Sequence, residues 1–228
     1  MCMDFLDIRH QIEVLNKRVD LYHFDIMDGH YVPNITLSPD LAKVIAKVSD
    51  LPLDFHMMCT DPMLFLEPCR KAVEPLTNRG IRSFFSPHCE LLSGTGFRAI
   101  DAITKAGLRP GVAINPETPL SQIMAYLHRL DKVTFMSVDP GFAGQPFIPE
   151  VMEKIHEAKA IKEANPEKYH FIIEIDGSCN KKTFGMLADC GVESFIVGTS
   201  GLFNNDPDLE RAFDIMMEDF NRAVNANG

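Results

Sequence analysis

The chain has no excess of positive charge. Its 228 residues carry 22 lysines and arginines against 32 aspartates and glutamates, a formal charge of -10 at pH 7. Nucleic acids and anionic membranes both need a positive field over an extended patch, so the composition argues against either partner, and any bound phosphate must be held locally. Paired cysteines are also missing. Cys2, Cys59, Cys69, Cys89, Cys179 and Cys190 are scattered, with no C-x-x-C pair and no metal-finger spacing, which fits a reduced, cytoplasmic protein. The first five residues lack a basic region followed by an apolar run, and no stretch approaches the roughly 18 apolar residues of a membrane span. No secretion or insertion signal is expected.

What remains is an ordinary globular composition, 46% hydrophobic and 24% charged, on a chain long enough for one large domain or two small ones. Short apolar, β-branched runs read as buried strands at 21–27, 53–58, 81–85, 112–114, 133–138, 171–175 and 195–197. Helical windows fall at 4–18, 38–49, 61–79, 93–107, 117–130, 149–164, 180–190 and 206–225. Four of them open on a capping residue followed by proline: Ser38-Pro39, Asp61-Pro62, Thr118-Pro119 and Asp206-Pro207. Alternation of strand and helix implies parallel strands with crossover helices, and no linker interrupts the pattern, so residues 1–228 are expected to form one α/β domain. A doubly wound sheet would carry a G-x-G-x-x-G turn after its first strand, and none occurs there. The polar strand ends favour an eight-stranded (β/α)8 TIM barrel. Eight helical windows against seven strand runs place the deficit before Asp4, where the first strand is expected to be truncated or missing.

Three strands share one phase. The period of two puts His23, Asp25 and Met27 on one face of the first run, Asp54, His56 and Met58 on one face of the second, and Glu174 and Asp176 on one face near residue 175. A lone strand-end histidine is more often a satisfied core residue than a ligand. Two His and two Asp converging from three strand ends instead supply the nitrogen and oxygen donors of a divalent ion, with zinc, manganese, cobalt or iron all compatible. Phosphate-binding candidates lie in three loops: Gly141, Phe142, Ala143 and Gly144; Gly177 and Ser178; and Gly198, Thr199 and Ser200. Glycine there lets backbone N–H groups close on an anion, and barrels often bind phosphate after strands 7 and 8; tight turns chosen only for conformation are the plainer reading of any one alone. The loop holding Phe142 is long enough to act as a lid. Met27, Met58 and Met136 suit either an apolar collar around the site or core packing. His88 and Glu90 read as support behind the site or as solvent-facing groups, and Asn34 and Asn115 as sugar contacts or turn formers.

Taken together, the motifs resemble the ribulose-phosphate 3-epimerase family along nearly the whole chain. They are the segment His23-Phe24-Asp25-Ile26-Met27-Asp28-Gly29-His30, Asp54-Phe55-His56-Met57-Met58, Asn115-Pro116-Glu117-Thr118-Pro119, Val138-Asp139-Pro140-Gly141-Phe142 and Ile175-Asp176-Gly177. Within it, Phe142-Ala143-Gly144-Gln145-Pro146-Phe147, Gly177-Ser178-Cys179-Asn180 and Gly198-Thr199-Ser200-Gly201 look most like the branch acting on D-allulose 6-phosphate. The resemblance implies one divalent metal held by His23, Asp25, His56 and Asp176, with Asp25 and Asp176 exchanging the proton and His56 also near substrate. It implies a small ketose phosphate as partner, D-allulose 6-phosphate first and D-ribulose 5-phosphate as the alternative, and a homo-oligomer. Two departures stand out. The segment 65–86 is longer than usual, and the family's first strand, with its substrate-contacting serine, has no counterpart here. Rivals from other classes are a lyase or decarboxylase, which would need an inward strand-end lysine, and a non-catalytic phosphosugar-binding or assembly protein.

Overall fold

A computed structural model describes residues 1–225 of the chain. It falls into two compact units: Met1, Met3–Ala113 and Arg129–Asp131 in the first, and Cys2, Ile114–His128 and the chain from Lys132 onward in the second.

In the first unit α1 (Ile8–Leu15) precedes β1 (Tyr22–Met27), followed by α2 (Pro39–Ile45), β2 (Leu53–Met58), α3 (Leu66–Ala72), α4 (Glu74–Thr77), β3 (Phe84–Pro87), α5 (Gly96–Lys105) and β4 (Arg109–Ile114). The strands pair in parallel in chain order. Parallel strands covered by helices are buried on both faces, and β2, Leu-Asp-Phe-His-Met-Met, is buried at every position. Leu53, Phe55 and Met57, on its other face, have no exposed surface, and Phe55 meets Phe24 of β1 edge to face at 5.9 Å. The inward phase carries the polar residues. The β1–β2 register sets His23 beside Asp54, Asp25 beside His56 and Met27 beside Met58.

In the second unit the order is β5 (Lys132–Met136), α6 (Val151–Ala164), β6 (Ile172–Asp176), α7 (Phe184–Cys190), β7 (Ser194–Ile196) and α8 (Leu209–Asn225). These strands are also parallel, with Thr134 beside Glu174 and Met136 beside Asp176. Phe184, Phe195 and Phe220 form a mutual edge-to-face cluster that fixes α7, β7 and α8 together.

A strand forms near each of the seven runs, but β3 is shifted from the expected 81–85 to Phe84–Pro87 and β4 starts earlier, at Arg109, and no strand forms in residues 1–5. The window 117–130 is a correction. It contains two 3₁₀ turns, Leu120–Gln122 and Leu127–Arg129, in place of an α-helix. Ile123 donates to Leu120 and Tyr126 to Ile123, three residues apart, so the apolar spacing that suggested an α-helix serves the tighter repeat. The last helix is also capped later than expected: Asp208, not Asp206, receives the Arg211 N–H, while Asp206 holds the Asp208 N–H. Segment 61–79 is a 3₁₀ turn followed by α3 and α4, separated at Val73 two residues before Pro75.

Candidate active site

Three of the expected ligands meet in the first unit. His23 Nε2, His56 Nδ1 and Asp25 Oδ1 stand 3.1 to 3.4 Å apart, within the 4.8 Å span of a metal-sized donor group. Parallel pairing places Asp25 and His56 side by side, and the strand period brings His23 to the same face. His23 cannot turn freely, because its Nδ1 lies 2.7 Å from Asp54 Oδ2 and the other Asp54 oxygen accepts from Ser86 Oγ at 2.8 Å. The Nδ1 proton therefore belongs to the Asp54 contact, and Nε2 is the nitrogen that faces Asp25 and His56. Deprotonated, it aims a lone pair at the point where Asp25 Oδ1 and His56 Nδ1 converge, the arrangement a divalent cation takes. When His23 instead carries a proton on both nitrogens, hydrogen bonds from it and from His56, with the positive charges of His23 and of the Met1 amine, outweigh burial and hold the Asp25 carboxyl well below the usual range.

Behind His56 stand groups whose role the sequence left open. His56 Nε2 lies 2.9 Å from His88 Nε2, and Tyr31 Oη lies 2.9 Å from His88 Nδ1. Glu90 Oε2 is 3.4 Å from the same Nδ1. His88 is fully buried, so it supports the site and does not face solvent. Sequence reasoning assigned no role to Asp54, and it missed Ser86 and Tyr31. Ser86 was missed because the expected strand stopped one residue short of it. Met27 and Met58 pack with Val32, with Met1 and Tyr31 against them, as an apolar patch in the same unit. Asn34 turns its carbonyl onto the Ile35 N–H, a turn-forming contact.

The second unit carries Asp176 at the C-terminal end of β6, one layer above Glu174. Glu174 is fully buried, accepting from Lys132 Nζ at 2.5 Å, Thr134 Oγ1 at 2.8 Å and Ser194 Oγ at 2.9 Å. Lys132 opens β5 at its N-terminal end, so this buried lysine lies at the opposite end of the strand from the one a lyase would use. The three phosphate-candidate loops are stitched together. Ser178 Oγ donates to Gln145 O in the loop after β5, where Phe142, Ala143 and Gly144 are exposed and Gly141 is buried. Asn180 Nδ2 reaches Ser200 Oγ at 3.3 Å, in the loop after β7. Gly177 has φ +113°, and a Cβ there would lie 2.7 Å from Val138. A Cβ on Gly201 would lie 2.1 Å from the carbonyl oxygen of Cys179, so only glycine lets these loops approach. Gly198 accepts the first bond of the following turn, from Leu202, which puts the N–H groups of Thr199 and Ser200 ahead of it. Gly198, Thr199, Ser200, Gly177 and Ser178 thus gather at the C-terminal end of β6 and β7.

The family model for the ribulose-phosphate 3-epimerase family matches residues 1–203. A ribulose-phosphate 3-epimerase of Bacillus subtilis (strain 168) is 34% identical over 198 residues, covering 86% of this chain and 87% of its own. The cytoplasmic isoform of ribulose-phosphate 3-epimerase from Oryza sativa subsp. japonica is 34% identical over 201 residues, covering 86% of this chain and 82% of its own. Among solved structures, a mutant tryptophan synthase alpha-subunit from Pyrococcus furiosus aligns with a TM-score of 0.64 at 11% identity, over 98% of this chain and 93% of that one. That likeness establishes the expected TIM-barrel fold and nothing finer. These relatives are named for ribulose phosphate, so the expectation of D-allulose 6-phosphate lacks support and the shorter ketose phosphate fits better.

Proposed function

The chain belongs to the ribulose-phosphate 3-epimerase family and is an isomerase, and from that premise we propose that it interconverts D-ribulose 5-phosphate and D-xylulose 5-phosphate. The observation that carries this reading is the buried convergence of His23 Nε2, His56 Nδ1 and Asp25 Oδ1 in a chain whose relatives are named for that substrate. Inverting a carbon beside a ketone requires a base on one face and an acid on the other. Asp25 removes the C3 proton, Asp176 returns one to the opposite face, and the roles exchange in the reverse direction.

The donor set also fits a divalent ion. Two imidazole nitrogens and carboxylate oxygens suit zinc, manganese, cobalt or iron better than magnesium. We assign its ligands as His23, Asp25, His56 and Asp176. Bound there, the ion would draw negative charge from the ketone and adjacent hydroxyl oxygens as the proton leaves. The loops of Gly177, Ser178, Gly198, Thr199 and Ser200 offer backbone N–H groups and hydroxyls to the phosphate, with Gly141, Phe142, Ala143 and Gly144 beside them in the same unit.

No helix among the described residues is long and apolar enough to cross a membrane. The six free cysteines and the name of the rice relative support a cytoplasmic location, and the family resemblance supports a homo-oligomer. Parallel assays on D-ribulose 5-phosphate and D-allulose 6-phosphate test the substrate. Faster turnover of the first is expected, and preference for the second would reinstate the longer sugar.

A further inference from the structure

We infer that His88 is a positioning residue that exchanges tautomers with His56 when an ion enters the site. The inference rests on the proposed ligand role of His56. The His56 and His88 ring centroids lie 5.0 Å apart, their planes differ by 21°, and the two Nε2 atoms are 2.9 Å apart. That centroid separation is close to the N···N distance plus one ring radius on each side. The nitrogens therefore face each other along the line of centres, as a hydrogen bond requires and face-to-face stacking does not. One Nε2 must carry the proton and the other must accept it.

Two arrangements satisfy the chain. In the first, Tyr31 O–H donates to His88 Nδ1, His88 Nε2–H donates to His56 Nε2, and His56 Nδ1–H donates to Asp25 Oδ1 at 3.2 Å. An ion at His56 Nδ1 is incompatible with that proton. In the second, His56 carries its proton on Nε2 and donates to His88 Nε2, while His88 carries its own on Nδ1 and donates it to Tyr31 Oη, which turns to accept, with the Glu90 carboxylate 3.4 Å away as a nearby negative charge. In the exchange His56 gives its Nδ1 proton to solvent, the His88 Nε2 proton passes to His56 Nε2, and solvent returns one proton to His88 Nδ1. The pair's charge is unchanged. His88 thus frees the ligand nitrogen without leaving a buried donor or acceptor unpaired.

The test is nitrogen NMR of protein carrying ¹⁵N-histidine, recorded with and without Zn²⁺ alone. The expected result is a swap at both residues: His56 from Nδ1–H to Nε2–H, and His88 from Nε2–H to Nδ1–H. Chelator competition then measures Zn²⁺ affinity in two variants. His88→Phe, which cannot accept from His56, should bind at least about tenfold more weakly, whereas His88→Gln, whose amide can accept, should stay near wild type. A His56 swap with His88 unchanged would overturn the relay and leave the ligand assignment standing. Zn²⁺ that leaves both His23 and His56 unchanged would overturn the two together. The wild-type spectra decide the matter even where a variant does not fold.

Discussion

Asp54 Oδ2 lies 2.7 Å from His23 Nδ1, and Asp54 has no exposed surface. One carboxylate thereby fixes both the ring orientation and the tautomer of an expected ligand. Asp54→Asn keeps the volume and removes the charge. Its Zn²⁺ affinity, measured by chelator competition, should fall by about tenfold while the folded structure is kept. Unchanged affinity would show that Asp54 does not tune His23.

Asp25→Asn and Asp176→Asn should each fold and each lose epimerisation. Each should also lose deuterium wash-in at C3 from one substrate face only, because each carboxyl serves one face. Retained turnover in either variant would sink the two-base scheme.

Three glycines give a graded test of the loop geometry. Gly144 has φ +82° with nothing within 4 Å of a Cβ, so Gly144→Ala should cost about 1 kcal/mol of backbone strain. At Gly177 the added methyl also meets Val138, and the cost should rise to roughly 2 kcal/mol or more. At Gly201 it meets backbone, which cannot rotate away, so Gly201→Ala should be the worst of the three. Urea unfolding that ranked them otherwise would mean that the loops relax.

Burial pushes the Asp28 carboxyl up, but backbone N–H groups of Tyr31, Thr60 and His30 outweigh it and hold the group at about 2, below its ordinary 3.8. The contribution is therefore fully present above about pH 3.8 and lost as pH falls through about 2. Asp28 ties the loop after β1 to Thr60 after β2. Wild type should exceed Asp28→Asn by roughly 1 kcal/mol near neutral pH, after allowance for solvent screening, and the gap should close toward the acid end. A gap independent of pH would rule out the charge as its source.

Much of this was legible because parallel strands alternate strictly. The phase that set His23, Asp25, Asp54, His56, Glu174 and Asp176 inward needs only a period of two, and the β1–β2 register then brings three of them together. What failed was local. The spacing of Leu120, Ile123 and Leu127 fits α and 3₁₀ turns alike, and the choice depends on packing that sequence does not display. The run 81–85 misplaced β3 because Ser83 Oγ accepts the Leu53 N–H, a side-chain contact at the start of the ladder that moves the strand onward to Ser86 and Pro87. The link from His88 to His56 lay beyond reach for the same reason, since it joins residues 32 positions apart through a strand whose ends were misjudged. The motifs that pointed to D-allulose 6-phosphate, around Phe142, Gly177 and Gly198, lie in loops, outside the strands whose period carried the rest of the reading.

Proton exchange at C3 of a five-carbon ketose phosphate by a metal-loaded site is the step on which the proposed function rests. The most direct measurement is deuterium incorporation at C3 of D-ribulose 5-phosphate in D₂O, with the protein as purified, after chelation, and after Zn²⁺ or Mn²⁺ is restored. Exchange accompanied by D-xylulose 5-phosphate formation is expected, with loss of both on chelation and recovery on restoring the ion. Exchange that survives complete removal of the metal, or none with the ion bound, would contradict the proposed function.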